Sequence, residues 1–245
     1  LAAGSAIFDN TDQSAAIAEI AKLWNGANAY QTETINYTLD GRTLNIRLNV
    51  NRLAHVNKPW DRMLMAIEDF TEQKRAQRAA ASNEAYARGL FELSPVSLWV
   101  EDFSDVKGLL DEVREQGITD FRTFVDVHPE FVASCMERIR VIDVNRQTLT
   151  MFGAESKDEL LARLSEIFRD EMGRSFAEQL LDCWNGNLFQ SRETLNYSLR
   201  GDPIHLHMQW SVLPGHEADW DLVQVALTDI SARKKAEAYL EFLGK

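Results

Sequence analysis

The chain has 245 residues, of which 45% are hydrophobic and 26% charged, the proportions of an ordinary globular protein. Its formal net charge of −12 argues against nucleic acid or an anionic membrane as the main partner, since no Lys/Arg cluster stands out to contact phosphates. Cys135 and Cys183 are too few for a disulfide framework or a zinc site, and we interpret them as reduced, buried thiols of a cytoplasmic protein.

The sequence matches itself at a fixed shift of 160 positions (24 to 184), which predicts one domain present twice. The paired segments are Trp24-Asn25-Gly26 with Trp184-Asn185-Gly186, Asn36-Tyr37 with Asn196-Tyr197, and Trp60-Asp61 with Trp220-Asp221. Copy one opens at the counterpart of Leu161, so we expect upstream sequence or a borrowed strand to complete its sheet. Because the chain begins at Leu1 and not at Met, we expect it to be part of a longer protein.

In copy one, Asp40-Gly41 predicts a hairpin turn between two strands. The second of these strands alternates apolar with polar residues, which is typical of a sheet with one packed face. The inward set is Leu44, Ile46, Leu48 and Val50, and the outward set is Asn45, Arg47, Asn49 and Asn51. An Ala-rich segment without a helix breaker before Gly89 then predicts a connecting helix, which pairs weakly with a partner or lies on its own domain.

Copy two is complete, and its strands are predicted at residues 96–103, 140–145, 193–199, 204–212 and 222–228. A short helix is predicted between Asn145 at its start and Gly153 at its end. Two further helices are predicted at Lys157–Phe168, opened by Ser156, and at Gly173–Trp184, ended by Gly186. Between the first two strands lies a helical insertion that Ser104 is expected to cap. Its apolar stripes predict either a lid packed on the same domain or a dimer contact.

The fold class is therefore α+β: two domains, each an antiparallel sheet with helices on one face, joined by a helical linker. Residues 1–72 are the first domain, N-terminally incomplete, and 73–92 are the linker. Residues 93–231 are the second domain, with its insertion at about 104–138, and 232–245 are an exit helix.

Both copies resemble the PAS family of sensory domains. The resemblance is carried by Leu93-Ser94-Pro95-Val96, by Val144-Asn145, and by the closing runs from Asp69 to Ala76 and from Asp229 to Ala236. It implies a tandem signal-input module, a homodimer that pairs through its helices, and an output domain in the same polypeptide. The stretch from Tyr239 to Lys245 is similar to the junction before a GGDEF-type cyclase, so the resemblance implies the input region of a bacterial diguanylate cyclase.

The resemblance places a ligand pocket between the sheet and the helices, with candidate residues Tyr37, Leu48, Val50, Tyr197, Leu206, Met208 and Trp210. Trp210 replaces the Val50 of copy one, so it either fills the interior or gives a ligand a stacking wall. We favour filling, which would leave copy one with the roomier pocket. The cofactor stays unknown, but the residues argue against flavin and haem. Neither Cys has the Asn-Cys-Arg context of the flavin-binding subfamily, and the helix before the last three strands contains no His.

His205 and His207 share one strand face, yet no third ligand is nearby, so no metal site is predicted. Catalytic motifs are not visible, and no catalytic residue is predicted. The leading hypothesis is a sensory module that binds a small effector or another protomer and biases a downstream output. The alternatives are a ligand-free dimerisation scaffold and the input region of a sensor histidine kinase.

Overall fold

The computed structural model describes residues 21, 27–53, 63–169 and 172–243. The chain divides into two compact units, Leu1–Tyr86 and Ala87–Lys245. The boundary falls inside a continuous helix, α1 (Thr71–Glu92), which starts two residues before the segment predicted as a helical linker. Predictions for the first residues of the chain, for Trp24-Asn25-Gly26 and for Trp60-Asp61 lie outside the described residues.

The first unit contains a three-stranded antiparallel meander. Its strands are β1 (Ala29–Tyr37), β2 (Thr43–Arg52) and β3 (Met63–Asp69), in that spatial order. Gly41, at φ +84°, allows the predicted turn between β1 and β2. Ile46 and Val50 are buried as expected. Asn45 was expected to face solvent but is buried, because the start of α1 returns to it: its carbonyl accepts from the Phe70 N–H at 3.0 Å.

The second unit is built on a five-stranded antiparallel sheet whose spatial order is β5-β4-β8-β7-β6. Two strands precede most of the helices and three follow them, as the sequence predicts. The strands are β4 (Ser97–Asp102), β5 (Arg140–Val144), β6 (Phe189–Tyr197), β7 (Pro203–Val212) and β8 (Val223–Asp229).

Helices cover the inner face of this sheet and also lead out of it. They are α2 (Ser104–Glu115), α3 (Phe121–Val127), α4 (Pro129–Arg138), α5 (Arg146–Phe152), α6 (Lys157–Ala162), α7 (Leu164–Ile167), α8 (Met172–Trp184) and the exit helix α9 (Ser231–Leu243). The single helix predicted for Lys157–Phe168 is two helices that meet at Arg163. The Arg163 guanidinium donates to the Leu199 carbonyl at 3.1 Å, a contact between distant segments that helical periodicity does not encode.

Most predicted helix ends are confirmed. The Asn145 side chain accepts from the Thr148 N–H at 3.0 Å, Ser156 accepts from Glu159 at 3.1 Å, and Gly153 closes α5 at φ +73°. The prediction for Ser104 is wrong. Its N–H and hydroxyl both donate to the Asp102 carboxylate, at 2.9 and 2.6 Å, so the residue that receives the hydrogen bonds is the acid two positions earlier.

The insertion α2–α4 packs on its own unit, as the lid interpretation predicts. Its buried apolar side chains belong to the core of that unit: Val106, Leu110, Val113, Phe121, Val125, Val132 and Cys135. Phe121 stacks on Trp184 of α8 with ring centroids 4.4 Å apart and planes 5° from parallel. Arg122 adds a two-pronged ion pair to Glu178 of the same helix, at 2.9 and 3.0 Å. The insertion is thus held to α8 by both apolar and charged contacts.

The two meanders share one hydrogen-bonding register at the sequence shift of 160. Tyr37 pairs with Thr43 as Tyr197 pairs with Pro203, and Ile46 pairs with Asp69 as Leu206 pairs with Asp229. Register is set by strand facing and by turn length. The structure therefore repeats the meander residue for residue.

The exit from each meander has one geometry in both units. Ser231 donates its N–H to Asp229 Oδ1 at 2.8 Å, and its hydroxyl accepts from the His205 N–H at 3.0 Å. In the first unit Thr71 makes the same two bonds, to Asp69 at 2.9 Å and from Asn45 at 2.7 Å. This bracket joins the last strand, its neighbour and the first turn of the following helix.

We expect Ser231→Ala to speed amide exchange at His205 and in the first turn of α9, and to cost about 1 kcal/mol of local stability, because one cap-like hydrogen bond is lost. Hydrogen exchange followed by mass spectrometry measures this. Ser231→Thr is the matched control, since Thr71 fills the same role in the first unit. Equal exchange in the Ala and Thr variants would contradict the prediction.

Candidate functional site

The second unit encloses a cavity of about 350 Å³ between the inner face of its sheet and the helices α4, α7 and α8. All five strands contribute to its wall. The described lining residues are Trp99, Glu101, Phe103, Met136, Glu137, Ile139, Val141, Leu164, Ser165, Phe168, Met172, Phe176, Gln179, Thr194, Asn196, Met208, Trp210, Val225 and Leu227. The volume lies at the lower end of the range for small-molecule sites.

Aromatic rings fix the shape of the cavity. Trp99 packs against Phe168 with centroids 6.0 Å apart, and also edge-on against Phe152 at 5.8 Å. Phe103 meets Trp210 edge-on at 5.3 Å. Trp210 in turn contacts Trp220 at 6.4 Å, so the indole is held from two sides. Such interlocked rings form rigid walls, because none can turn without moving another.

The β6 side of the cavity is polar. Thr194 pairs with Leu206 and Asn196 with Ile204, which places both polar residues on the same inner face as these buried apolar partners. Thr194 Oγ1 and Asn196 Oδ1 are buried without a hydrogen-bond partner, and so is Trp210 Nε1. Each unpaired buried group costs about 1–3 kcal/mol. The cavity wall thus presents one unpaired donor, Trp210 Nε1, and two unpaired oxygens that can accept, Thr194 Oγ1 and Asn196 Oδ1.

Glu101 brings a carboxyl group into the same cavity. Strand alternation places it between Trp99 and Phe103, which are both buried. The pairing of β4 with β5 shifts its register between Val100 and Glu101, which is the mark of a β-bulge. Burial raises the pKa of Glu101 to about 7, because desolvation penalises its charged form. A carboxyl with this pKa changes its charge near neutral pH, so the cavity can present either a donor or an anion.

The structure brings together two of the predicted pocket residues, Met208 and Trp210, which line the cavity. Leu206 is buried on the same face but is not part of the described lining. Tyr197 does not line the cavity. Tyr197 follows Asn196 directly in β6, so its side chain points to the opposite face of the sheet. On that face the Arg169 guanidinium lies 3.8 Å from the centroid of the Tyr197 ring.

The predicted pocket residues of the first unit are likewise divided between the two faces of their sheet. Val50 is buried and Leu48 is half-buried on β2, whereas Tyr37 is 39% exposed and pairs with Thr43. Inward positions of β2 pair with the even-numbered residues of β1, so Tyr37 belongs to the opposite face from Leu48 and Val50. The prediction placed these three side chains together, and the register separates them.

Trp210 does not fill the interior of the second unit, because the cavity remains beside it. Its indole is completely buried and forms one wall. Of the two interpretations left open by the sequence, the stacking wall describes its position better than filling does.

Glu101, Thr194 and Asn196 were missed as site residues. The signal for Glu101 was present, since a charged residue alternating with Trp99 and Phe103 must share their face. For Thr194 and Asn196 no such signal exists, because polar residues that alternate with Leu195 and Tyr197 are normally assigned to solvent.

The residues considered for cofactor or metal chemistry lie away from the cavity. Burial raises the pKa of the Cys135 and Cys183 thiols to about 12, and neither is among the described lining residues. His205 is exposed, and His207 shares a 2.8 Å hydrogen bond with Ser191, so both lie on the predicted outer face. Among the described residues, no three His, Cys, Asp or Glu side chains come together as a metal ion would need.

Comparisons with known proteins return solved structures but no family model and no curated protein. One similar structure is the PAS domain of an HTR-like protein from Haloarcula marismortui, at 16% identity and TM-score 0.39 over 64% of this chain and 99% of that one. A PAS domain from Colwellia psychrerythraea has 12% identity and TM-score 0.40 over 61% and 97%. The Rhodobacter sphaeroides LOV protein has 16% identity and TM-score 0.39, with 59% of this chain and 64% of that chain covered.

The second unit combines an antiparallel sheet with helices between its second and third strands in chain order. In the described part of the chain, no helix combines the length and the apolar character that crossing a membrane requires.

Proposed function

We propose that the chain is the tandem PAS input region of a signalling protein, and that its second domain binds a small effector and passes its state to an output domain. The observation that carries the proposal is the cavity with its unpaired polar atoms on Thr194, Asn196 and Trp210. A purely structural core would leave such groups paired or absent. A bound molecule that satisfies them explains why they are there.

A direct route leads from the cavity to the exit helix. Val225 and Leu227 of β8 line the cavity, and β8 ends at Asp229, where the bracket of Asp229 and Ser231 starts α9. A ligand that moves β8 by a fraction of an ångström therefore acts on a helix fixed to that strand. The ligand switches the output only if it binds one helix arrangement more tightly than the other.

Charged side chains also tie the exit helix to the sheet. Glu193 of β6 forms ion pairs with Arg233 and with Lys234, the latter at 2.6 Å. Hydrogen bonds from Lys234 and then from Arg233 lower the pKa of Glu193. In the first unit the matching Glu33 pairs with Arg47 of β2 at 2.9 Å. Among the described residues, Glu33 makes no ion pair with α1, so the ionic contact between β6 and α9 is a feature of the second unit, and it supports a signalling role for α9.

The output we propose is a diguanylate cyclase in the same polypeptide, with homodimerisation through the helices. Two features support this: the resemblance of Tyr239–Lys245 to a GGDEF junction, and the exposed Tyr239, Leu240 and Phe242 on α9. Assay of cyclic-di-GMP synthesis by the full-length protein tests the proposal, and a histidine kinase dimerisation helix after Lys245 would overturn it.

The second candidate function is a scaffold that dimerises without an effector. It is favoured by exposed apolar side chains on the two long helices, with Tyr86 and Leu90 on α1 in addition to those on α9. Native mass spectrometry of the purified protein separates the candidates. A retained small molecule supports the sensor, whereas a ligand-free dimer from several expression hosts supports the scaffold.

We expect Thr194→Val to raise the free energy of unfolding of the ligand-free protein by about 1 kcal/mol, because it removes a buried hydroxyl without a partner. The same change should weaken retention of the effector, since a ligand loses its contact. Denaturant unfolding and native mass spectrometry measure the two effects.

The control for this variant is Thr123→Val, which removes an exposed hydroxyl that donates to Asp120 at 2.6 Å. It should lower stability slightly and leave effector retention unchanged. A Thr194→Val protein that is both less stable and equally occupied would contradict a ligand-contacting role.

A further inference from the structure

We propose that the cavity of the second unit takes a small organic amine in its protonated form, with the ammonium group at Glu101 and the apolar body between the aromatic walls. This inference rests on the proposed function and adds the chemical class of the effector. It is argued from the charges, the unpaired atoms and the rings that line the cavity.

The charges that line the cavity are all acidic. Glu101 and Glu137 are the two ionisable residues in the described lining, and none of the described lining residues is Lys, Arg or His. Glu137 is exposed at the end of α4, whereas Glu101 lies deeper, on the inner face of β4. A ligand with a carboxylate or phosphate would enter without a cationic partner, and its desolvation would be uncompensated.

Two arginines on the strands β5 and β6 already have anionic partners. Arg140, at the start of β5, pairs with Asp102 of β4. Arg192 lies on the inner face of β6, opposite Met208. Its guanidinium donates to Asp182 at 2.6 Å and to the Ser175 carbonyl at 3.0 Å, while its Nε is buried without a hydrogen-bond partner. Neither arginine is part of the described lining. The carboxyl of Glu101 thus lacks a protein cation, and a ligand cation would supply one.

Of the three unpaired cavity atoms, Thr194 Oγ1 and Asn196 Oδ1 can accept from a group with several N–H donors, whereas Trp210 Nε1 is itself a donor that an ammonium group leaves unpaired. Asn196 is 2% exposed, and its Oδ1 accepts no hydrogen bond, as is also true of Thr194 Oγ1. An ammonium group has three donors and no acceptor, so it can contact a carboxylate and one or both of these oxygens. Charge-assisted hydrogen bonds of this kind are stronger than neutral ones.

The walls suit a cation attached to an apolar body. Trp99, Phe103, Phe168, Phe176 and Trp210 all line the cavity. The faces of aromatic rings attract cations, Trp most strongly, and their area also covers an aliphatic or aromatic body. Burial of Glu101 raises its pKa to about 7 when no cation is present. A bound ammonium ion favours the ionised carboxylate, so binding is coupled to loss of the Glu101 proton.

The test uses two sets of probes. Within each set the aromatic body is the same and the head group is a cationic amine, a neutral alcohol or an anionic carboxylate. These are 2-phenylethylamine, 2-phenylethanol and phenylacetate, and tryptamine, tryptophol and indole-3-acetate. Isothermal titration calorimetry is run at pH 8 on the whole chain and on two variants, Glu101→Gln and the control Glu155→Gln, which changes an exposed residue outside the described lining of the cavity. Circular dichroism verifies that each variant is folded.

At least one amine should bind the parent protein ten or more times more tightly than its alcohol and its acid. Glu101→Gln should weaken that amine at least tenfold and change alcohol binding less than threefold, and Glu155→Gln should change both by less than threefold. The inference is overturned if an acid or an alcohol binds best, if no amine binds, or if Glu101→Gln leaves amine affinity unchanged.

Native mass spectrometry distinguishes failure of this inference from failure of the proposed function. A retained molecule without an amino group overturns the amine class and leaves the sensory role standing. An empty cavity in every preparation, together with the absence of binding by all six probes, overturns both.

Discussion

Replacing Glu101 by Gln is expected to raise the free energy of unfolding by about 3 kcal/mol above pH 7, an unusually large gain for a single polar substitution. Burial raises the folded-state pKa of this carboxyl from 4.5 to about 7. Each unit of difference between folded and unfolded pKa corresponds to about 1.4 kcal/mol. Gln keeps the shape of the side chain and removes the charge that the cavity disfavours.

The sign of the pH dependence follows from which state holds the proton. Between pH 4.5 and about 7 the unfolded chain has lost the Glu101 proton and the folded chain still holds it, so this carboxyl lowers stability as pH rises. Below pH 4.5 both states are protonated, and the effect disappears. The stability difference between Glu101→Gln and the parent should therefore be near zero at pH 4, grow through pH 4.5–7 and level off above.

Urea unfolding of both proteins across pH 4–8 measures this difference, and the subtraction removes the other carboxylates from the comparison. Glu137→Gln is the control, because it removes an exposed carboxyl from the same cavity wall and should change stability little at any pH. A difference between Glu101→Gln and the parent that does not vary with pH would show that Glu101 is not desolvated in the folded protein.

Asn145→Ala is expected to lower the free energy of unfolding by about 3 to 4 kcal/mol, because it breaks a buried hydrogen-bond network at its centre. The side chain is fully buried. Its Oδ1 accepts from the Leu98 N–H at 3.0 Å and from Thr148, through the N–H at 3.0 Å and the hydroxyl at 2.9 Å. Its Nδ2 donates to the carbonyls of Val96 at 2.8 Å and Phe91 at 3.0 Å.

This amide connects three elements of the second unit: the last turn of α1, the strand β4 and the start of α5. Ala leaves the donors and acceptors of all three without a partner in a buried place, which costs more than the hydrogen bonds themselves contributed. The loss of the bond to Phe91 should also speed amide exchange in the last turn of α1. We therefore expect both a global loss of stability and a local loosening of the helix that enters the unit.

Urea unfolding followed by tryptophan fluorescence measures the global effect, and hydrogen exchange measures the local one. Asn187→Ala is a suitable control, since Asn187 is exposed and its side chain makes one 3.3 Å bond to Asp182. It should cost less than about 0.5 kcal/mol. Similar losses for the two variants would show that the buried network contributes no more than a surface contact.

Taken together, Glu101 and Asn145 show two uses of buried polarity in one unit. Both polar atoms of the Asn145 side chain, Oδ1 and Nδ2, have hydrogen-bond partners, so this buried amide stabilises the fold. Glu101, Thr194, Asn196 and Trp210 contain polar groups that lack protein partners, and they gather around one cavity. Where polar groups are left unpaired at a single place, the interior favours a ligand there over stability of the empty protein.

The sequence by itself determined the repeated meander, the strand order along the chain and the exit helices. Period-two alternation and turn residues are local signals, and in β7 and the cap of α5 they agree with the tertiary structure. The closing runs from Asp69 and from Asp229 were matched between the copies, and the structure shows in both the hydrogen bond from Ser231 or Thr71 to the preceding Asp. Alternation, turns and caps depend on residues close together in the chain, so the sequence contains the information needed to predict them.

Only the tertiary structure decided which face of β6 points inward. The loop of residues 198–202 sets the pairing phase between β6 and β7, and a change of one residue in that loop would exchange Asn196 for Tyr197 at the cavity. The desolvation of Glu101 likewise depends on segments far away in the chain, and so does the bond from Arg163 to the Leu199 carbonyl. The direction in which a side chain points and its loss of water both depend on the residues packed around it. For that reason only the tertiary structure shows that Glu101, Thr194 and Asn196 belong to the cavity.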